Sequence, residues 1–133
     1  MAKKVNGGEG LQEDRTRVTL FLPTHKTDDI RAVRLINGYL HKQRNSKTCK
    51  ITGFTTSVYP DCAFWGVWWS SDHQTWVPEK VTLVFIDYAK RLGDVSLENA
   101  LRRLKKTVHE SYDQFNRKQE VIWITASPVF RFT

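Results

Sequence analysis

The sequence predicts an α+β fold: a ferredoxin-like two-layer sandwich, an antiparallel sheet of about five strands with two helices on one face, in the order β-α-β-β-β-α-β. Three observations carry this. Two segments place apolar residues at three- and four-residue spacing, with Arg and Lys on the other side. Several runs rich in Val, Ile, Thr and aromatics are bounded by Pro, Gly or Asn, as strands are. The 133 residues contain no repeat and no linker that would divide them, so residues 16–133 read as a single domain.

Residues 1–15 are Gly-rich and polar and read as a flexible tail. The run 17–22 alternates apolar and polar residues before Pro23 and reads as the first strand. Thr27, followed by Asp28 and Asp29, supplies a cap and acids for the positive end of a helix dipole. From Ile30, the residues Val33, Ile36, Tyr39 and Leu40 form an apolar stripe that runs to about Arg44. Residues 51–59 and 63–70 read as a hairpin around Tyr59, Pro60, Asp61 and Cys62. After a polar loop at 71–74, the run 81–88 is apolar on both faces, as in a central, doubly covered strand. Gly93 and Asp94 break the chain. Ser96 is placed to cap a second helix with Leu97, Leu101, Leu104, Val108 and Phe115 on one side, and residues 120–125 form the last strand.

Lys and Arg number 21 against 14 Asp and Glu, a formal charge of +7. The surplus sits in the two helix-bearing blocks, 16–50 and 96–133, whereas the aromatic block 51–95 is acidic. Arg31, Arg34, Lys42 and Arg44 on one helix, with Arg102, Arg103, Lys105 and Lys106 on the other, are therefore the candidates for holding nucleic acid or another polyanion. The alternative for such a face is plain solvation.

A hairpin turn at 60–61 would place Trp68 opposite Gly53, and Phe64 and Trp68 together on an open aromatic face. Such a face can stack bases, wall a small-molecule pocket or meet a second copy. Because runs 81–88 and 121–125 do not alternate, something is expected to cover it, and a homodimer is the favoured cover. The same register puts Cys49 and Cys62 about 40 Å apart, too far for a disulfide. No signal-like or membrane-spanning apolar run is present. With two free thiols, the expectation is a cytoplasmic protein with no membrane partner.

Asp72, His73 and Asp87 are the acid–base candidates. The strings His25-Lys26-Thr27 and His73-Gln74-Thr75 are similar in form to the paired His-x-Thr strings of two-histidine phosphoesterases. Here, however, they fall at a helix start and in a polar loop rather than on strands. No phosphate loop, nucleophile elbow or metal-ligand spacing occurs, so no metal, no cofactor and no particular reaction is predicted. The chain thus reads as a small basic binding module, homodimeric through an aromatic sheet face. The alternative is a dimeric α+β-barrel-like protein holding a small organic ligand in an aromatic-lined pocket, with cofactor-free chemistry open to it.

Overall fold

The computed structural model describes residues 3–4, 11–57, 64–119 and 122–132; at 3–4, 11–14, 64–66, 68 and 131–132 it describes the backbone alone. The elements are β1 (Lys3–Lys4), β2 (Leu11–Pro23), α1 (Thr27–Gln43), β3 (Ile51–Thr56), β4 (Phe64–Ser70), β5 (Thr75–Tyr88), α2 (Val95–Asp113) and β6 (Trp123–Phe132). All strand pairings are antiparallel. β2 lies between β5 and β6, and β5 carries both β3 and β4. This is an antiparallel sheet with two helices on one face, a two-layer α+β sandwich.

One face of the sheet is formed by every second residue of the central strands, as the period of a strand requires. Val18, Leu20 and Leu22 of β2, and Val84, Ile86 and Tyr88 of β5, are buried against Ala32, Ile36 and Leu40 of α1 and Leu97, Leu104 and Val108 of α2. The helical stripes match the expected ones, and Leu101 and Phe115 pack at the margin. Tyr112 is fully buried, and its hydroxyl donates to the carbonyl of Pro23 at 2.7 Å.

Burial pushes the hydroxyls of Tyr112 and Tyr88 well above the usual tyrosine range. A raised value in the folded state stabilises the fold fully below the unfolded pKa of about 10 and is lost as pH rises beyond it. In an alkaline titration followed at 295 nm, these two tyrosines are therefore expected to ionise only together with loss of the circular dichroism signal. Stepwise ionisation of both with the fold intact would contradict this packing.

Several expectations need correction. The expected hairpin between residues 51–59 and 63–70 does not form among the described residues. Instead β4 and β5 pair across the turn at 71–74, with Ser70 opposite Thr75, and β3 pairs with the other end of β5, with Thr56 opposite Val84. At 14 residues, β5 is long enough to carry two strands end to end on one edge. Trp68 therefore lies opposite Val77, Phe64 opposite Val81, and Gly53 opposite Asp87. The side chains of Phe64 and Trp68, and all of Cys62, are outside the described residues. Cys49 is a free, buried thiol.

β2 begins at Leu11, inside the stretch expected as a tail, and its residues Gln12 and Glu13 pair with Lys4 and Lys3. β6 starts at Trp123 rather than at 120, because the register with β2 sets Trp123 opposite Phe21 and Ile124 opposite Leu20. The caps also differ from those expected. Thr27 is already helical, and the carboxylate of Asp29 reaches back to accept from the backbone N–H groups of His25 (3.0 Å) and Lys26 (3.2 Å). Asp94 caps α2, accepting from the N–H (2.8 Å) and hydroxyl (2.6 Å) of Ser96, which holds its carboxyl below the usual range. Among the described residues, no helix is long and apolar enough to cross a membrane.

Candidate functional site

Pairing between β2 and β5 stops at Pro23 and Val81, where the N–H of Thr24 donates to the carbonyl of Lys80 at 2.8 Å. Residues before Val81 run on past the end of β2, and with β4 they form a projecting arm. At its tip, Gln74 adopts a left-handed conformation with φ 52°, and the N–H of His73 donates to the Ser70 hydroxyl at 3.2 Å. Trp69 and Trp76 face each other across the arm, edge to face, with ring centroids 5.6 Å apart.

The segment that follows α2 returns beneath this arm. Asn116 turns it with φ 54°, and the N–H of Arg117 donates to the carbonyl of Tyr112 at 3.0 Å. The Arg117 side chain is fixed by Asp29, whose own side chain is fully buried. Nε donates to Oδ1 at 2.8 Å and Nη2 to Oδ2 at 3.4 Å, which keeps the guanidinium firmly charged. One carboxylate thus caps α1 and anchors the chain leaving α2, at opposite ends of the sequence.

Between the arm and this segment lies a cleft of about 380 Å³, within the range of small-ligand sites. Trp69 and Ser70 of β4, Asp72 and His73 of the turn, and Val77 and Glu79 of β5 line one side. Arg117, Lys118, Gln119 and Trp123 line the other. Trp69 and Trp123 are each 49% exposed, so both leave surface open to a ligand. Glu79 is close enough to Tyr112 to act on its hydroxyl electrostatically, as Asp29 does. Indole surface near carboxylates can take a flat ring by stacking and a positive charge by Coulomb and cation–π attraction, with Arg117 and Lys118 as the cations of the opposite side. His73 adds a group able to move a proton.

Of the acid–base candidates, Asp72 and His73 meet in this cleft and Asp87 does not. It lies at the far end of β5, on the order of 40 Å along the strand. There it forms a bidentate pair with Arg17, Nε–Oδ1 at 2.9 Å and Nη2–Oδ2 at 3.0 Å, which accounts for a carboxylate in that strand. His25 belongs to the fold: its Nε2 accepts from the N–H of Lys80 at 3.1 Å, so the two His-x-Thr strings do different work. No group of His, Cys, Asp and Glu among the described residues is arranged to hold a metal. Burial pushes the Cys49 thiol up, with Lys90 and Arg103 pulling the other way, which suits a core cysteine rather than a nucleophile.

The sequence reasoning did not find Trp69, Glu79, Arg117 or Trp123. One signal was present: Trp65, Val67 and Trp69 are mirrored by Trp76, Pro78 and Lys80 about the polar tetrad 71–74. The eight basic candidates on the helices, Arg31, Arg34, Lys42, Arg44, Arg102, Arg103, Lys105 and Lys106, are all exposed. Arg31 pairs with Asp28 at 3.5 Å and Lys106 with Glu110 at 3.9 Å.

The sheet face away from the helices carries rows set by the registers: Trp123, Phe21 and Leu83, then Thr125, Thr19, Phe85 and Thr55, then Ser127, Arg17 and Asp87. It alternates with the buried face but keeps a large apolar share, with Trp123 at 49% and Phe85 at 36% exposure.

No protein-family model matches the chain, and no curated protein matches it. Among solved structures it is similar to a phage SAM lyase in complex with S-methyl-5'-thioadenosine, with a TM-score of 0.48 at 15% identity over 98% of this chain and 95% of that one. At this identity and score the likeness is loose.

Proposed function

We propose that this protein binds a small organic ligand, a flat ring bearing positive charge, in the cleft between Trp69 and Trp123. The observation that supports it is the cleft itself: two half-exposed tryptophans together with Asp72 and Glu79, against a side where Arg117 is already tied to Asp29 and Lys118 extends to the exposed rim. Asp72, His73 and Glu79 are the groups available for acid–base chemistry on such a ligand. Isothermal titration calorimetry with three matched rings tests the reading: N-methylquinolinium, quinoline and quinoline-2-carboxylate. The cation is expected to bind at least tenfold more tightly than the anion. Equal affinities, or preference for the carboxylate, would refute it.

Trp123 also belongs to the open sheet face, which favours a second element of the proposal: two copies pack on that face and so close the cleft. Phe21, Leu83 and Phe85 supply the apolar centre, and the Arg17–Asp87 pair neutralises itself within it, as a self-complementary contact needs. Phe85→Lys is expected to convert a dimer to a monomer in sedimentation velocity at micromolar concentration. A wild-type chain that stays monomeric there removes this element and leaves the cleft reading standing.

A further inference from the structure

A second concentration of cations, sharing Arg44 and Arg103 with the helices, lies at the end of the molecule remote from the cleft. Two loops meet there, residues 44–50 after α1 and 89–94 before α2. The N–H of Ala89 donates to the carbonyl of Lys50 at 3.0 Å, and the buried Thr16 hydroxyl donates to that of Lys90 at 2.8 Å. Cys49 is buried between the loops, within electrostatic reach of Lys90 and Arg103. Arg44, Lys47, Lys50, Lys90, Arg91 and Arg103 therefore converge on one end. Among the described residues none of the six is in an ion pair. Among the described side chains, the acids nearby are Asp94, whose carboxylate is engaged by Ser96, Asp87, which Arg17 holds, and the exposed Glu98.

A second, independent feature lies among these cations. The N–H of Asp94 donates to the carbonyl of Arg91 at 3.1 Å, and Gly93 takes φ 91°, a conformation that favours glycine. This tight turn leaves two aliphatic side chains in water: Leu92 is 46% and Val95 is 68% exposed. Nucleic acid would use the charges but takes an aliphatic wedge only where a duplex is kinked open, at the cost of unstacking a base step. A lipid surface uses both, headgroup phosphates for the cations and the acyl boundary for the aliphatic tip.

We propose that this end of the protein docks on an anionic lipid surface, with the six cations on the headgroups and Leu92 and Val95 inserted between them. Co-sedimentation with vesicles tests this. Vesicles of 30% phosphatidylserine in phosphatidylcholine are compared with pure phosphatidylcholine, and a 20-base-pair DNA duplex runs in parallel. Binding is expected only to the anionic vesicles. Lys47→Glu with Arg91→Glu should weaken it by at least the roughly fivefold per charge lost near such a surface. Leu92→Ser with Val95→Ser, which leaves every charge in place, should weaken it severalfold at 150 mM salt. Both pairs are at exposed or loop positions, and circular dichroism checks that they fold. No binding to anionic vesicles, equal binding to both compositions, an unaffected Leu92/Val95 variant, or binding to the duplex alone would each overturn the proposal.

Discussion

Asp29→Ala is expected to lower the stability of the fold by about 3 kcal/mol, the low end of the cost of breaking a buried ion pair, because Arg117 retains some access to water. The carboxylate is fully buried and accepts from Arg117 and from two backbone N–H groups at the start of α1. Its removal leaves a half-buried guanidinium and two amides without their acceptor at once. For a chain of this length the change corresponds to a fall in Tm of roughly 10 °C. Asp29→Asn keeps an acceptor for the amides and loses the charge, so its loss should be about half as large. Thermal unfolding of the two variants checks both figures. The consequence reaches the cleft, because Arg117 anchors the segment that carries Lys118 and Gln119 along its rim. A variant that melts like the wild type would show that Asp29 holds nothing together.

Trp123→Ala is expected to weaken binding of the quinolinium cation by about 2 kcal/mol, roughly thirtyfold in Kd, from one lost stacking wall and its cation–π attraction. The indole is half exposed and lies at the beginning of β6, so the fold should lose far less than the ligand does. Glu79→Gln keeps the shape of the cleft and removes a charge; it should reduce the preference for the cation over neutral quinoline while leaving quinoline binding unchanged. The comparison separates shape from charge. Full affinity in Trp123→Ala, measured by calorimetry on a variant with a wild-type melting curve, would place the ligand elsewhere.

Both helices and the buried halves of β2 and β5 were legible in the chain, because each carries its period without interruption: Val18, Leu20 and Leu22 on one side of a strand, Leu97, Leu104 and Val108 on one side of a helix. The arm was not. Pro60 is a good turn former and drew the hairpin to 60–61, while Pro78, which lacks an N–H, argued against a strand at that position. In the fold, Pro78 sits opposite Val67 in the arm, beyond the stretch of β5 that β2 pairs. Once the turn moves to 71–74, every facing pair in β4 changes, and with them the aromatic face assigned to Phe64 and Trp68. Asp72 and His73 are legible because an adjacent carboxylate and imidazole in a polar loop are an acid–base pair by residue type alone. Glu79, Arg117 and Trp123 were not, because they come from elements that meet only through long-range pairing, and no local spacing records the Asp29–Arg117 contact.

The charge map changed in a similar way. The block sums point to the helices, and the helical bases are exposed, but folding also brings loop residues together at one end. Lys47, Lys50, Lys90 and Arg91 come from two loops that the register of Ile51 with Tyr88 brings side by side. The cleft, with its indoles and carboxylates, lies at the other end of β5. The two ends thus offer a ligand and a surface different chemistries.

The most direct test of the cleft reading is a heteronuclear correlation spectrum in which the indole N–H signals of the five tryptophans are followed while N-methylquinolinium is added. The signals of Trp69 and Trp123 are expected to shift together and saturate with the affinity found by calorimetry, and in Trp123→Ala the remaining Trp69 shift should require roughly thirtyfold more cation to saturate. Binding of the cation that leaves the Trp69 and Trp123 signals where they were, or no binding at all, would contradict it.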